Sequence, residues 1–345
     1  MDTVRNRLVP LEEIPANRHL VEQLYAHHEI SPKARAFALN TLYPARNWGL
    51  WIARLLTALG VALVLSGVVY FYAFNWAAIP DLVKLGSVEC ALAGSLAAAL
   101  FFGLKRNTGK ILALSAATLT GVFLAVFGQV YQTGADAWTL FGAWAVLILP
   151  WTVTATFAPL WALWLVVANV GLILFWDQAV LPPREIDALI LPLVAVFNGA
   201  VLAVREILES RYDWLQKRWT RVLPALTVIG AAALPCVVVI SGWSHANYGL
   251  AFAATAGVGI LGVMFAVFRY IKPDMPTVAA TVLAVCVIAE FGVYRLLNHH
   301  HSYQDSYVFD HSLRLLLQGA FTIALFTGAV IWLRLETKKM EVRHG

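Results

Sequence analysis

The stretch FGQVYQTGADAWTLFGAWAVLILPW, residues 127–151, places a short polar segment between two apolar runs. The polar segment covers residues 129–136, and the runs on both sides consist almost wholly of apolar side chains. A helix needs about 20 mostly apolar residues to cross a bilayer. The stretch therefore predicts two membrane-spanning helices joined by a polar hinge, and the rest of the chain decides on which side of the membrane that hinge lies.

Composition extends this prediction to the whole chain. Of its 345 residues 60% are apolar and 13% are charged, against roughly 25% charged in soluble domains. The mean hydropathy of +0.71 is typical of a multi-pass membrane protein. The three cysteines, Cys90, Cys236 and Cys286, lie in apolar runs without paired spacing, so neither a disulfide nor a metal site is predicted.

Hydropathy predicts an all-α integral membrane protein with about ten spans. The runs are 52–74, 81–104, 111–131, 137–155, 158–176, 186–204, 220–241, 249–268, 276–297 and 312–334. Only TATFAP separates the fourth run from the fifth. For this pair, a re-entrant hairpin is the alternative to two complete crossings.

Basic residues set the expected orientation, because Lys and Arg near span ends are retained in the cytoplasm. With the amino terminus inside, the cytoplasmic set is Arg5, Arg7, Arg18, Lys33, Arg35, Arg46, Lys105, Arg106, Lys110, Arg205, Arg211, Lys217, Arg218, Arg221, Arg269, Lys272, Arg334, Lys338, Lys339 and Arg343. Both termini are then cytoplasmic and the hinge faces outward. Basic loops beneath a membrane explain the net charge of +5, so no nucleic-acid partner is expected.

A polar segment, residues 1–47, precedes the first span and forms the first predicted domain; residues 48–345 form the transmembrane domain. Pro15 and Pro32 are typical first residues of two short helices, Ser31 is a typical cap, and Pro44 ends the second helix. So few residues cannot bury an independent core. We expect a cytoplasmic helical hairpin that packs on the basic loops or docks a protein partner.

Ionisable side chains inside spans are costly and indicate a functional site. At 1.5 Å per residue, Glu89 lies about 12 Å and Glu290 about 10 Å below the outer rim. Other polar side chains of similar depth are Lys84, Gln129, Arg295, Arg314 and Gln318. Their convergence predicts a polar pocket open to the outside, with Tyr131 and Asp136 at its mouth.

The alternative is that these charges only fix helix packing, with Glu89 paired to Lys84 or Arg295 and Glu290 paired to Arg314. Asn169 and Asn198, near the middle of the fifth and sixth spans, are expected to bridge to neighbouring helices, since amides commonly do so in membranes.

The outer loop between the last two spans, NHHHSYQDSYVFDH, carries His299, His300, His301, Asp305, Asp310 and His311, and His245 lies in another outer loop. Adjacent histidines cannot all reach one ion, and no HExxH pair is present. We expect a plain polar loop, with metal binding or pH response as alternatives. The chain has neither a phosphate-binding glycine loop nor GxSxG, so neither a cofactor nor a catalytic site is predicted.

Two stretches resemble a known family. YFYAFNWAAIPDLVKLG carries Asn75, Trp76, Pro80 and Lys84, and the hinge stretch carries Gln129, Tyr131, Asp136, Trp144 and Pro150. Together they resemble the bacterial predicted membrane-protein family called domain of unknown function 2157, over about residues 10–155. The resemblance implies the architecture and a bacterial inner-membrane location, and it implies no activity. Both patterns fall on the outer side of the predicted topology, where Asn75 and Gln129 serve either a ligand mouth or the exposed backbone at span ends.

Three functions are compatible with these patterns. The first is binding or transport of a small polar solute through the outward pocket, with proton coupling at Glu89 or Glu290. The second is a non-transporting scaffold or sensor whose cytoplasmic hairpin docks a partner. The third is an integral-membrane enzyme acting on lipid-linked substrates, for which the outer acids and histidines would have to converge.

Overall fold

The structure is a computed structural model and describes residues 18–42, 48–242, 247–298 and 307–344. All regular structure in these described residues is helical. The helices are α1 (Arg18–Ala26), α2 (Pro32–Leu42), α3 (Trp48–Asn75), α4 (Asp81–Phe102), α5 (Asn107–Val130), α6 (Ala137–Thr154), α7 (Ala158–Phe175), α8 (Ile190–Leu208), α9 (Arg218–Ser241), α10 (Tyr248–Ala266), α11 (Met275–Asn298) and α12 (Tyr307–His344). Short π-helical turns, Trp176–Val180 and Val267–Ile271, extend α7 and α10.

The predicted fold class is confirmed. Nine helices of the described residues are long and apolar enough to cross a membrane, and α3 covers the run predicted as the first span. The predicted fourth and fifth spans are complete helices, since α6 has 18 residues and the α7 segment has 23. The orientation in the membrane stays a prediction.

The described residues form two compact units, which divide between Ile79 and Pro80. In the first unit, Ser31 caps α2 by accepting from the amide of Ala34 at 3.2 Å. The Arg35 guanidinium donates to both oxygens of Glu22, at 2.9 and 2.8 Å, and the Glu22 carboxylate raises the pKa of Arg35 above its ordinary value. These contacts join α1 and α2 in the expected hairpin. Pro15 and Pro44 lie outside the described residues, and the boundary at residue 47 stays a prediction.

In the second unit, α9 lies at the centre of the larger core. It packs against α8, α10 and α11, and the fully buried side chains at this junction include Val228, Phe268 and Val278. A smaller core joins α5, α6 and α7 around Ala117, Ile148 and Leu160. The unit therefore consists of two groups of helices. The groups are in contact where α7 of the smaller core packs against α8 and α9 of the larger core.

Glycine lets the helices approach closely at two places where a side chain would clash. A Cβ on Gly257 of α10 would lie 2.2 Å from the carbonyl oxygen of Ala232 on α9. A Cβ on Gly121 of α5 would lie 2.5 Å from the Trp144 ring, whose Nε1 donates to the Ala117 carbonyl at 2.8 Å. Helices within a bilayer gain no hydrophobic driving force when they associate, because lipid tails are equally apolar. Small residues stabilise the association instead, since they let the two backbones pack closely.

Turns alternate between two ends of the second unit. We call the end with the turns at 103–106, 155–157, 209–217 and 272–274 the basic end. The end with the turns at 131–136 and 181–186, where α9 also ends at Ser241 and α10 begins at Tyr248, is called the hinge end. At the basic end, Arg221 of α9 reaches Asp274 at 3.2 Å. At the hinge end, Arg295 of α11 donates to the Val239 carbonyl of α9 at 2.9 Å.

Candidate functional site

A polar cluster lies between α11 and α12 within their apolar spans. Glu290 Oε1 accepts hydrogen bonds from Gln318 Nε2 at 2.9 Å and from Thr322 Oγ1 at 2.7 Å. Gln318 and Thr322 are four residues apart on α12 and so share one helix face. We call Glu290, Gln318 and Thr322 the intramembrane cluster.

The second carboxylate oxygen of Glu290 is buried without a partner. Oε2 is the one buried side-chain oxygen or nitrogen lacking a hydrogen bond among the residues that the structure describes. A buried acceptor left without a donor costs about 1–3 kcal/mol, and more when the group is charged. A hydrogen-bond donor placed at Oε2 would relieve this cost.

The hinge contributes a separate cavity of about 520 Å³ between α5 and α6. Its wall includes Gln129, Thr133, Asp136 and Thr139. The chain turns there through Gly134, whose φ of +61° favours glycine. Tyr131 is exposed and packs on the Phe127 ring, with centroids 4.6 Å apart.

Asp136 immediately precedes α6, the usual place of a capping residue, but its side chain makes no capping bond. The amide of Trp138 donates instead to Oε1 of Gln178, at 3.1 Å. The exposed Asp136 carboxylate is thus available to solvent or to a ligand at the hinge.

The other predicted site residues lie elsewhere. Lys84 Nζ pairs with Asp81 at 2.9 Å. Glu89 is exposed on α4 and makes neither a hydrogen bond nor an ion pair with any described residue. Asn75, in the first unit, donates to the Phe71 carbonyl one turn earlier at 2.8 Å.

Arg295 is held at the hinge end of α9. It donates to the carbonyls of Val239 and Ile240, at 2.9 and 2.8 Å, and a cation is favoured at the carboxyl end of a helix. Within the predicted set, the structure thus brings together Glu290 with Gln318, and Gln129 with Asp136. Tyr131 belongs to the same hinge as Gln129 and Asp136. Lys84, Glu89 and Arg295 lie elsewhere in the second unit.

Asn169 and Asn198 form a reciprocal amide pair between α7 and α8. Asn198 Nδ2 donates to Asn169 Oδ1 at 2.6 Å, and Asn169 Nδ2 donates to Asn198 Oδ1 at 3.2 Å. Asn198 has no exposed surface. The predicted bridging role is confirmed.

A charged network at the basic end was not predicted. The Arg205 guanidinium, whose side chain is 2% exposed, contacts Glu206 at 2.6 Å and Glu209 at 2.9 Å. Arg221 contacts the same two carboxylates, at 2.6 and 3.0 Å, and Asp274. The spacing of Arg205 and Glu209 by four residues was the signal in the sequence. The participation of α9 and the α10–α11 turn depends on tertiary packing.

A second pairing that was not predicted joins α10 to α12. Arg269 donates to Glu336 Oε1 at 3.0 Å and lies over the rings of Phe265, Tyr270 and Trp332, 5.1–5.3 Å from their centroids. Glu336 is buried. This contact fixes the basic-end half of α12.

No group of three or more metal-ligating side chains occurs in the described part of the chain. His245, His299, His300, His301 and Asp305 lie outside the described residues, as do the side chains of Asp310 and His311. The metal-binding alternative for the outer loop is therefore not tested.

Residues 18–161 match the model of a family described as predicted membrane protein, domain of unknown function 2157. The match confirms the resemblance of the hinge and of the Asn75–Trp76 pattern to domain of unknown function 2157. In the comparisons with curated proteins and with solved structures, nothing matches the chain. The intramembrane cluster and the amide pair lie beyond the part that matches domain of unknown function 2157.

Proposed function

We propose that this membrane protein binds a small polar solute carrying hydrogen-bond donors at the intramembrane cluster, and moves it across a bacterial inner membrane. The observation that carries the proposal is the buried, unpartnered Oε2 of Glu290. Ionisable groups within spans are costly and mark solute or proton pathways. Gln318 and Thr322 orient the carboxylate through Oε1, which leaves Oε2 for an ammonium, guanidinium or hydroxyl donor of a solute.

The position of the cluster supports this function. Glu290 lies eight residues before Asn298, about 12 Å from that end of α11 at 1.5 Å per residue. Residues of α12 that flank the cluster, such as Leu316 and Ile323, are exposed and suited to lipid. α12 packs against α11 in the described residues, so a displacement of α12 is the simplest motion that opens the cluster.

Solute binding is tested by thermal unfolding of the purified protein with amino acids, polyamines and guanidinium compounds. At 100 times its Kd, a ligand stabilises the folded state by about 2.7 kcal/mol. We expect at least one compound to stabilise the wild type and the Glu89→Gln control, but not Glu290→Gln. Both variants lose an in-span carboxylate, and Glu89 has no described partner.

A compound that stabilises the protein is then followed as uptake into proteoliposomes, where Glu290→Gln should abolish flux. The proposal fails if no compound stabilises the wild type, or if stabilisation and uptake survive in Glu290→Gln.

A second candidate function, docking of a protein partner by the amino-terminal hairpin, is favoured by the pairing of α1 with α2 through Arg35 and Glu22, which holds the two short helices together. In this function, deletion of residues 1–47 removes the partner and leaves solute binding intact. Co-purification with and without these residues distinguishes the two functions.

A further inference from the structure

Two cavities meet at the basic end of the second unit. The first, here called the seam cavity, has a volume of about 450 Å³ and lies between α6, α7 and α8. The second, here called the basic cavity, has a volume of about 460 Å³ and lies at the α8–α9 turn. Tyr212 and Trp214 line both cavities, so the two volumes share an aromatic wall.

The seam cavity is apolar and lies at membrane depth. Trp161 and Trp164 of α7 and Val204 of α8 line it on the basic-end side of the Asn169–Asn198 pair. Two of the polar side chains in its wall, Thr152 and Arg205, are bonded within the protein, and Thr152 donates to the Ile148 carbonyl at 2.9 Å. Arg205 is saturated by Glu206, Glu209, Thr220 and the Leu215 carbonyl. Exposed side chains at its rim, Leu149, Val153 and Val204, place its mouth towards hydrocarbon.

The basic cavity has the opposite chemistry. Lys110 of α5, Arg211 and Lys217 line it together with one acid, Asp213, which leaves an excess of two positive charges. Within the described chain these three cations form no ion pair, in contrast to Arg205 and Arg221 nearby. Unpaired cations beside a membrane attract anionic headgroups.

We propose that the two cavities hold one anionic phospholipid of the leaflet at the basic end. An acyl chain fills the seam cavity, and the phosphate lies among Lys110, Arg211 and Lys217. Tyr212 and Trp214 lie between chain and headgroup, the interfacial depth that these side chains prefer. This site is independent of the intramembrane cluster, with which it shares no residue.

The arrangement predicts selectivity for charge and for a chain together. A zwitterionic lipid offers the same chain but loses the net attraction of the cations, and inorganic phosphate offers the charge but leaves the seam cavity unfilled. Bulk attraction of the basic end for anionic membranes is excluded by a control that removes three other exposed cations at that end, Lys105, Lys272 and Lys338.

Native mass spectrometry of the detergent-solubilised full chain, with phosphatidylglycerol or phosphatidylcholine of the same acyl chains, tests the proposal. We expect phosphatidylglycerol to be retained over phosphatidylcholine. Replacing Lys110, Arg211 and Lys217 by Gln should weaken its retention by at least about tenfold, and the control triple variant should keep it.

Val204→Trp, which fills the seam cavity, should also reduce phosphatidylglycerol retention, whereas Val196→Trp, exposed on α8 outside the cavity, should not. Equal retention of the two lipids overturns the proposal. The proposal is also overturned if phosphatidylglycerol is retained both when Lys110, Arg211 and Lys217 are replaced by Gln and in Val204→Trp. Displacement of phosphatidylglycerol by excess inorganic phosphate, with the same dependence on Lys110, Arg211 and Lys217, would identify a free-anion site instead.

Discussion

Replacement of Arg205 by Met should destabilise the protein strongly, because it leaves two carboxylates at the basic end short of a partner. The Arg205 side chain is 2% exposed, and Glu206 and Glu209 are 11% and 26% exposed. Breaking a buried ion pair from one side costs about 3–5 kcal/mol, mainly as the penalty of the charge left behind.

The remaining contacts place the expected loss at the lower end of that range. Arg221 keeps its bonds to Glu206, at 2.6 and 2.8 Å, and to Glu209, at 3.0 Å. Thr220 continues to donate to the Leu215 carbonyl at 2.6 Å. We therefore expect Arg205→Met to lower the free energy of unfolding by about 3 kcal/mol.

The assay is equilibrium unfolding by dodecyl sulfate in mixed micelles, followed by circular dichroism. Arg218→Met is the matched control, since Arg218 is exposed at the same end, and it should stay within about 0.5 kcal/mol of the wild type. Adding Glu209→Gln to Arg205→Met should cost less than the sum of the single changes by about 1 kcal/mol. Equal stability of Arg205→Met and Arg218→Met, or an additive double variant, would refute the network as described.

Three further changes test the packing of the second unit. Gly257→Ala should lower the free energy of unfolding by about 1–3 kcal/mol, because the added methyl group overpacks against α9. Gly259→Ala is the control and should be neutral, since its added methyl group meets open space. Unfolding by dodecyl sulfate compares the two variants. A double-mutant cycle of Asn169→Ala and Asn198→Ala should give a coupling of about 0.6–1 kcal/mol, and a coupling of zero would contradict the amide pair. Arg269→Met should increase trypsin cleavage near the end of α12, because it removes the contact with Glu336; unchanged cleavage rates in detergent would contradict that role.

Helix positions were readable from the sequence because a bilayer imposes length and apolarity on every span. The prediction of 220–241 for the seventh span compares with Arg218–Ser241 for α9. The amide pair was readable for the same reason, since a polar side chain at mid-span has few partners other than a neighbouring helix.

Helical geometry explains why the predicted polar pocket did not assemble in full. Lys84 and Glu89 are five residues apart, as are Glu290 and Arg295, and five residues turn a helix by about 140° beyond one full turn. Members of each pair therefore point to different sides. Lys84 pairs with Asp81, three residues away, and Arg295 reaches α9.

Contacts between helices distant in sequence were beyond the reach of local patterns. The crossing of α11 and α12 decides which face of α12 contacts Glu290. The sequence around Gln318 does not indicate this face, because the leucines that precede Gln318 are apolar whether they face lipid or protein, and the structure shows them exposed. The seam and basic cavities likewise combine four separate segments of the chain.

Water access to Glu290 is the central claim of the proposed function, and cysteine labelling measures it most directly. In a background without Cys90, Cys236 and Cys286, Glu290→Cys is compared with Val285→Cys, which is exposed on another side of α11. A charged methanethiosulfonate reacts with the thiolate, which forms only where water reaches the sulfur. The account predicts reaction at position 290 at least about tenfold faster than at 285, and slower reaction at 290 when the stabilising solute is bound. Equal, negligible rates at both positions would show that Glu290 is sealed in packing and would contradict the proposed site.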